Sequence, residues 1–241
     1  LSNVQRMVGN FNQLVQEYQQ LSAETGVNPD DASVENFVKM NLDSSEISWS
    51  RALKKRLRMG RRITIDEESV RVSNYRLFFK QYLYFDRNFN EDIYQNARLF
   101  PEPRADNLII TMNAADSRLP FGVLISDSPV ALHFHSGQAS QGFPLFVYEE
   151  QSSEASLFDD DSGLGGYSRR SAITDYTLTR YQSEYGSELG KEDIFYFVYG
   201  LLHSREYVER YQADLSKMVP RIPLVDDFWG FSKAGRDLAY W

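Results

Sequence analysis

The chain predicts an α+β fold, a mostly antiparallel sheet flanked by helices, with a helical segment at its N-terminus. Three features carry this expectation. Apolar residues recur at helical spacing near the start, short strand-like segments with tight turns fill the middle, and helices return from Asp175 onward. With 241 residues, 42% hydrophobic and 14% aromatic, the chain can bury a substantial core, as one large domain or one domain with an appendage.

Val4, Met7, Val8, Phe11, Leu14, Val15, Tyr18 and Leu21 line one helix face, which predicts a first helix over Asn3 to Glu24, broken by Gly26 and Pro29. A short helix over Ala32 to Met40 follows, capped by Asp30 or Asp31. A basic helix opens near Ser50 and ends at Gly60, and Asp66 to Asn74 reads as another short helix. Strands are expected at Leu77 to Phe85, Asn107 to Met112, Gly122 to Ser126, Val130 to His135 and Leu145 to Tyr148, separated by Pro, Gly and Ser turns. The polar, Ser-, Asp- and Gly-rich stretch from Gln151 to Arg170 predicts a mobile loop. Ile194 to Leu202 is apolar around its whole circumference, as in a buried helix. Ser204 can cap the next helix, in which Tyr207, Val208, Tyr211 and Leu215 fall at helical spacing; Pro220 and Pro223 stop it. Arg221, between those prolines, is expected in a structural salt bridge. A final helix is expected from Ser232 to Trp241.

Composition narrows function. No apolar run reaches the roughly 20 residues of a membrane span, and no signal peptide precedes the first helix. The lack of cysteine removes disulfides and thiolate zinc sites and fits a reducing cytoplasm. A net charge of −8 argues against simple adhesion to nucleic acid. Yet Arg51 to Arg62, RALKKRLRMGRR, holds seven of the 26 basic residues and none of the 34 acidic ones. A basic patch on an acidic body suits either a solvated basic helix or a domain held on DNA by one face.

Several chemistries lack their residues. There is no P-loop; Gly163-Leu164-Gly165-Gly166 has no lysine. Asn28-Pro29-Asp30 does not supply the Asn/Asp-Pro-Pro-aromatic loop that holds a flipped base. None of the seven lysines has an acid two residues before it, as a Mg²⁺-dependent restriction nuclease requires. His133 and His135 would share a strand face as a possible metal pair, but no metal is expected. Asp159-Asp160-Asp161 lacks the ligand alternation of a calcium loop.

The order of several motifs resembles one family. Trp49-Ser50-Arg51 with its basic helix, Tyr75-Arg76-Leu77-Phe78-Phe79-Lys80-Gln81-Tyr82-Leu83-Tyr84-Phe85-Asp86, Phe143-Pro144-Leu145-Phe146-Val147-Tyr148-Glu149, Val219-Pro220-Arg221-Ile222-Pro223 and Phe228-Trp229 run from Trp49 to the C-terminus. Together they are similar to the C-terminal target recognition domain of Type ISP restriction–modification enzymes. These are single prokaryotic chains that combine nuclease, helicase-like motor, methyltransferase and recognition domain. Leu77 departs from the proline expected after the Tyr-Arg pair. Leu1 as first residue and an open last helix read as an excised fragment. The resemblance implies residues 1–45 as a connector after the parent's methyltransferase core and residues 46–241 as the recognition domain. It further implies a cytoplasmic, non-catalytic module without its own cofactor; the parent would use S-adenosylmethionine, ATP and Mg. The partners implied are double-stranded DNA and other domains of the same chain, with no membrane. The rival expectation is a protein-interaction or coupling module. A remote third is a hydrolase using His133 or His203.

On that reading Arg51, Lys54, Lys55, Arg58, Arg61 and Arg62 are the phosphate-contact candidates, extended by Lys80 and Arg87. Asn113, Asp116, Ser117 and Arg118 form one candidate base-reading loop, and His135, Ser136, Gln138, Ser140 and Gln141 another. Arg169 and Arg170 would clamp the DNA backbone.

Overall fold

The computed structural model describes residues 1–41, 47–91, 93–114, 117–135, 139–151, 164 and 166–241. The chain packs as two compact units. The first comprises Leu1–Arg71 and Tyr82–Tyr94, the second Val72–Gln81 and Gln95–Trp241.

In the first unit, α1 (Ser2–Thr25) buries Val8, Phe11, Val15 and Tyr18 and ends at Gly26, whose φ of 67° suits the left-handed C-cap. Helix α2 (Asp31–Met40) is capped by Asp30, which accepts from the Ser33 amide while the Ser33 hydroxyl accepts from the Asp30 amide. These hydrogen bonds hold the Asp30 carboxyl below its usual range. Helix α3 (Arg51–Arg58) begins at Ser50, whose hydroxyl accepts from the Leu53 amide. Leu53 and Leu57 are fully buried in one core with Phe11, Val15, Phe37 and Ile63. Three amphipathic helices thus share one apolar centre.

The segment after α3 differs from expectation. Only Glu67–Ser69 is helical, as a single 3-10 turn; β1 (Val70–Arg76) follows, turns at Leu77 and Phe78, and returns as β2 (Phe79–Tyr84). Phe78 has φ 58°, a left-handed value that suits a tight turn. The chain turns here with leucine in place of the expected proline.

The second unit is built on β3 (Ile109–Asn113), buried along its length between β4 (Val123–Ser126) and β5 (Ser140–Pro144). Both pairings are antiparallel, with Thr111 opposite Leu124 on one side and Gly142 on the other. β6 (Phe146–Glu150) and β7 (Tyr167–Ser171) form a separate antiparallel pair, with Tyr148 opposite Arg169. The described residues therefore hold three small sheets in place of one. Helix α4 (Asn96–Leu99) supplies Leu99, which packs with Phe100, Ile109 and Val147.

Two expected elements change identity. Val130 to His135 is not a strand; Val130 makes a single bridge to Asn74, and residues 132–135 turn. The predicted loop ends early, because Tyr167–Ser171 is strand β7; residues 152–163 and 165, including Asp159-Asp160-Asp161, lie outside the described residues.

The closing helices are α5 (Asp175–Tyr185), α6 (Lys191–Leu202), α7 (Arg205–Leu215) and α8 (Phe228–Tyr240). Helix α6 buries Ile194, Phe195, Phe197, Tyr199, Leu201 and Leu202, as its apolar circumference requires. Ser204 caps α7. Helix α8 starts earlier than expected, capped by Asp227; Ser232 lies inside it, buried, and donates to the Asp193 carbonyl. That earlier start puts Phe228 at the centre of an aromatic cluster, stacked on Tyr185 and Phe197 with centroids 4.7 Å away. Tyr181 joins it edge-on, and burial pushes its hydroxyl pKa up to about 12.

Arg221 makes no salt bridge among the described residues. Its segment is held by its backbone, whose carbonyl accepts from Tyr207 Oη at 2.8 Å.

Helices α6 and α8 cross at two glycines. A Cβ on Gly200 would overlap the Phe231 carbonyl and stand 3.0 Å from the Gly235 nitrogen; a Cβ on Gly235 would overlap the Tyr196 carbonyl. Backbone cannot swing aside as a flexible side chain can. Alanine at either position should therefore cost about 2–3 kcal/mol in denaturant unfolding, despite the roughly 1 kcal/mol that Gly→Ala gains in an open helix. Gly9→Ala on α1, where nothing lies within 4 Å, is the control expected to stabilise. A neutral Gly235→Ala would contradict this packing.

Candidate nucleic-acid interface

The basic run of α3 separates into two classes. Arg51, Lys54 and Arg58 face carboxylates: Arg51 bonds Glu91, Lys54 Nζ lies 2.7 Å from Glu35 Oε1, and Arg58 Nη1 lies 2.5 Å from Asp31 Oδ1. The Arg51 guanidinium holds the Glu91 carboxyl below its ordinary range. Exposed pairs of this kind are weak and rearrange readily, but they offset part of the positive field.

Lys55, Arg61, Arg62 and Arg87 form the second class. All four are exposed, and among the described residues no carboxylate lies within ion-pair distance of them. Arg56, outside the predicted set, organises three of these positions. Its Nε donates to Asn88 Oδ1 at 2.5 Å and its Nη1 to the Arg62 carbonyl at 3.1 Å. The guanidinium fork thereby fastens the Arg61-Arg62 backbone to the turn carrying Arg87 and Asn88. Ser50 Oγ donates to the Asn88 carbonyl at 2.6 Å, tying the start of α3 to the same turn. Arg56 flanks the Leu53–Leu57 stripe, three residues after Leu53, and its position in the sequence gives no sign of these bonds.

The remaining candidates lie in the second unit. Lys80 Nζ is 3.1 Å from Asp127 Oδ1 in an exposed pair. Arg118 is exposed in the turn before Pro120. Asn113 is not a loop residue: it ends β3, is buried, and its amide donates to Ser117 Oγ at 3.2 Å and the Pro120 carbonyl at 3.3 Å. It shapes the turn instead of facing solvent. Gln141 is half-buried on β5 opposite Met112; its Oε1 is buried and accepts no hydrogen bond among the described residues. Ser140, also on β5, accepts from the His135 amide. Asp116, Ser136 and Gln138 lie outside the described residues.

Arg169 and Arg170 sit on β7, not in a loop. The Arg169 guanidinium lies over the Phe146 ring at 4.3 Å, and Arg170 Nη2 is 3.0 Å from Glu149 Oε1, which also bonds Arg98.

His135 does not share a strand face with His133, because the segment turns. His133 is exposed, whereas His135 is buried with Nε2 3.1 Å from Thr111 Oγ1. Thr111 Oγ1 donates to the Leu124 carbonyl, so it accepts from the Nε2–H of the ring. No group of three metal-ligating side chains occurs among the described residues. Neither do hydroxyls or carboxylates bond the rings of His133 or His203 there. Likewise, no described helix is long and apolar enough to cross a membrane.

The model of the Type ISP C-terminal specificity domain family matches residues 1–241. No curated protein matches. Three solved structures are similar over nearly the whole chain. One is a nuclease-deletion mutant of the Type ISP restriction–modification enzyme LlaGI with a DNA substrate mimic, at 30% identity and TM-score 0.76, covering 99% of this chain and 19% of that one. The second is a DrdV–DNA complex, at 25% identity and TM-score 0.76, covering 97% and 20%. The third is the ATP-dependent Type ISP enzyme LlaBIII bound to DNA, at 25% identity and TM-score 0.75, covering 99% and 14%. This chain thus spans a fifth or less of each of these proteins.

Burial lowers the His135 pKa below its ordinary 6.5. The folded ring therefore stays neutral while the unfolded chain takes up a proton near 6.5. Its contribution to stability is complete above that value and declines as pH falls through it toward the folded-state pKa. Thermal unfolding followed from about pH 8 to pH 5 should show this decline, and His135→Gln should flatten it. An unchanged slope in the variant would contradict the buried neutral ring.

Proposed function

Because the chain belongs to the family of Type ISP C-terminal specificity domains, we propose that it recognises a double-stranded DNA sequence and directs its parent enzyme's adenine methylation and restriction to that site. The observation that carries this reading is the set of exposed cations Lys55, Arg61, Arg62 and Arg87, which meet no carboxylate among the described residues, the last three held in place by Arg56 in a chain of net charge −8. Phosphate contacts need cations without competing carboxylates, and this set meets the requirement. Arg51, Lys54 and Arg58 would have to exchange their carboxylates for phosphates and are the secondary set. The three similar structures, each described with DNA or a DNA mimic, support the same partner.

In this reading the domain performs no catalytic step. Residues 1–45 connect it to the methyltransferase core, and the S-adenosylmethionine, ATP and Mg²⁺ chemistry belongs to the rest of the parent in the prokaryotic cytoplasm. Arg118 is the exposed base-reading candidate. Gln141 would need a local shift to present its amide, and Asn113 supports the Arg118 turn from beneath. Arg169 and Arg170 would supply backbone contacts from β7.

DNA binding by the full-length enzyme at several salt concentrations tests the assignment. Replacing Lys55, Arg61, Arg62 and Arg87 by glutamine should flatten the dependence of log affinity on log salt by about 0.9 for each lost phosphate contact. The Arg51, Lys54 and Arg58 variants should change it less. A slope unchanged by all of these substitutions, in folded enzyme, would instead favour a module that docks other protein domains.

A further inference from the structure

The tip of the β1–β2 hairpin is the least explained surface of the second unit. Phe78 is 95% exposed and Phe79 55% exposed. Residues 79–81 are exposed in sequence, so this end of β2 packs against neither face. Phe78 also sits at φ 58°, a position that glycine or asparagine fills without strain. A large aromatic side chain there gains no burial and carries a backbone cost, so neither the core nor the turn accounts for it.

Charge selects the partner. From Val70 to Phe85 the sequence has three basic residues and no acidic one, in a chain with 34 acids. Arg76 and Lys80 stand two residues to either side of Phe78, and Lys80 is in an exposed pair with Asp127 that a phosphate would have to displace. Arg76 is braced by the Tyr75 ring at 4.2 Å and by the His133 carbonyl at 3.4 Å. An apolar point flanked by cations suits the stacked bases of duplex DNA, with phosphates on either side, better than an apolar protein groove. Two-stranded ribbons fit DNA grooves, and apolar side chains wedge between base steps.

We propose that the Leu77-Phe78-Phe79 tip wedges into a base step of the DNA that this domain recognises, with Phe78 stacked on a base and Arg76 and Lys80 toward the flanking phosphates. This rests on the DNA-recognition reading above. It assigns a shape-dependent contact, in which steps that unstack easily are favoured.

The test uses the full-length enzyme and duplexes carrying its mapped site, with 2-aminopurine placed at one position at a time. Wild-type enzyme should raise fluorescence at one step away from the methylated base, and Phe78→Gly should abolish that rise. Affinity should fall about tenfold, the scale of one base–aromatic stack, with the salt slope unchanged because no phosphate contact is lost. Phe78→Trp should retain both properties. Glycine suits the turn, so Phe78→Gly should melt no lower than wild type. If wild type binds with salt dependence and Phe78→Gly binds equally well, this proposal fails alone. A lower melting temperature of the variant with unchanged DNA binding would place the tip against another domain and overturn it. Wild-type enzyme without salt-dependent binding would remove the recognition reading and this proposal together.

Discussion

The second unit depends on the close approach of α6 and α8 at Gly200 and Gly235. Without a Cβ on either side, the two backbones come into direct contact, and that contact brings Phe228 onto Phe197. Tyr181 and Tyr185 complete the aromatic cluster. Ile110 and Met112 of β3 belong to this core, while Ile109 belongs to the cluster of Leu99 and Phe100. A strand buried on both faces has little freedom of register, because a one-residue slip exchanges its faces. The turns on either side of β3, including the one that carries Arg118, inherit their positions from this helix pair.

The first unit solves a different problem, which is how to gather cations without destabilising repulsion. Its three helices share an apolar core, and acids from distant segments meet part of the basic helix. Arg56 does what a lysine could not: its planar fork bonds a side-chain amide and a backbone carbonyl together. Among the described residues, three of the four basic-patch cations left without carboxylates, Arg61, Arg62 and Arg87, lie at or beside its two partners. Charge that is locally fixed and globally outweighed by acid favours binding through one face over nonspecific adhesion.

The helices were legible in the sequence because their signals are local. Spacing, caps and prolines located α1, α2, α3, α6 and α7 closely. Strands β5 and β7 escaped because their residues, SQGFP and YSRRS, have little strand character; pairing with β3 and β6 makes them strands. Val70 to Asn74 read as helical for the same reason, since the returning β2 decides its state. The basic patch was visible as composition. Which of its members are neutralised was not, because Glu35, Asp31 and Glu91 lie 19, 27 and 40 residues from their partners. Asn113 looked like a loop amide because its burial comes from a turn closing over it.

The measurement that bears most directly on the account is an exchange of specificity. Placing this chain in LlaGI, in place of the segment it matches, and mapping the modified DNA positions would show what the domain decides. The account predicts that the enzyme abandons its own site for a new one, and that the new site changes again when Arg118 is replaced. A folded, active hybrid that still modifies the LlaGI site would contradict the claim that this domain chooses the sequence.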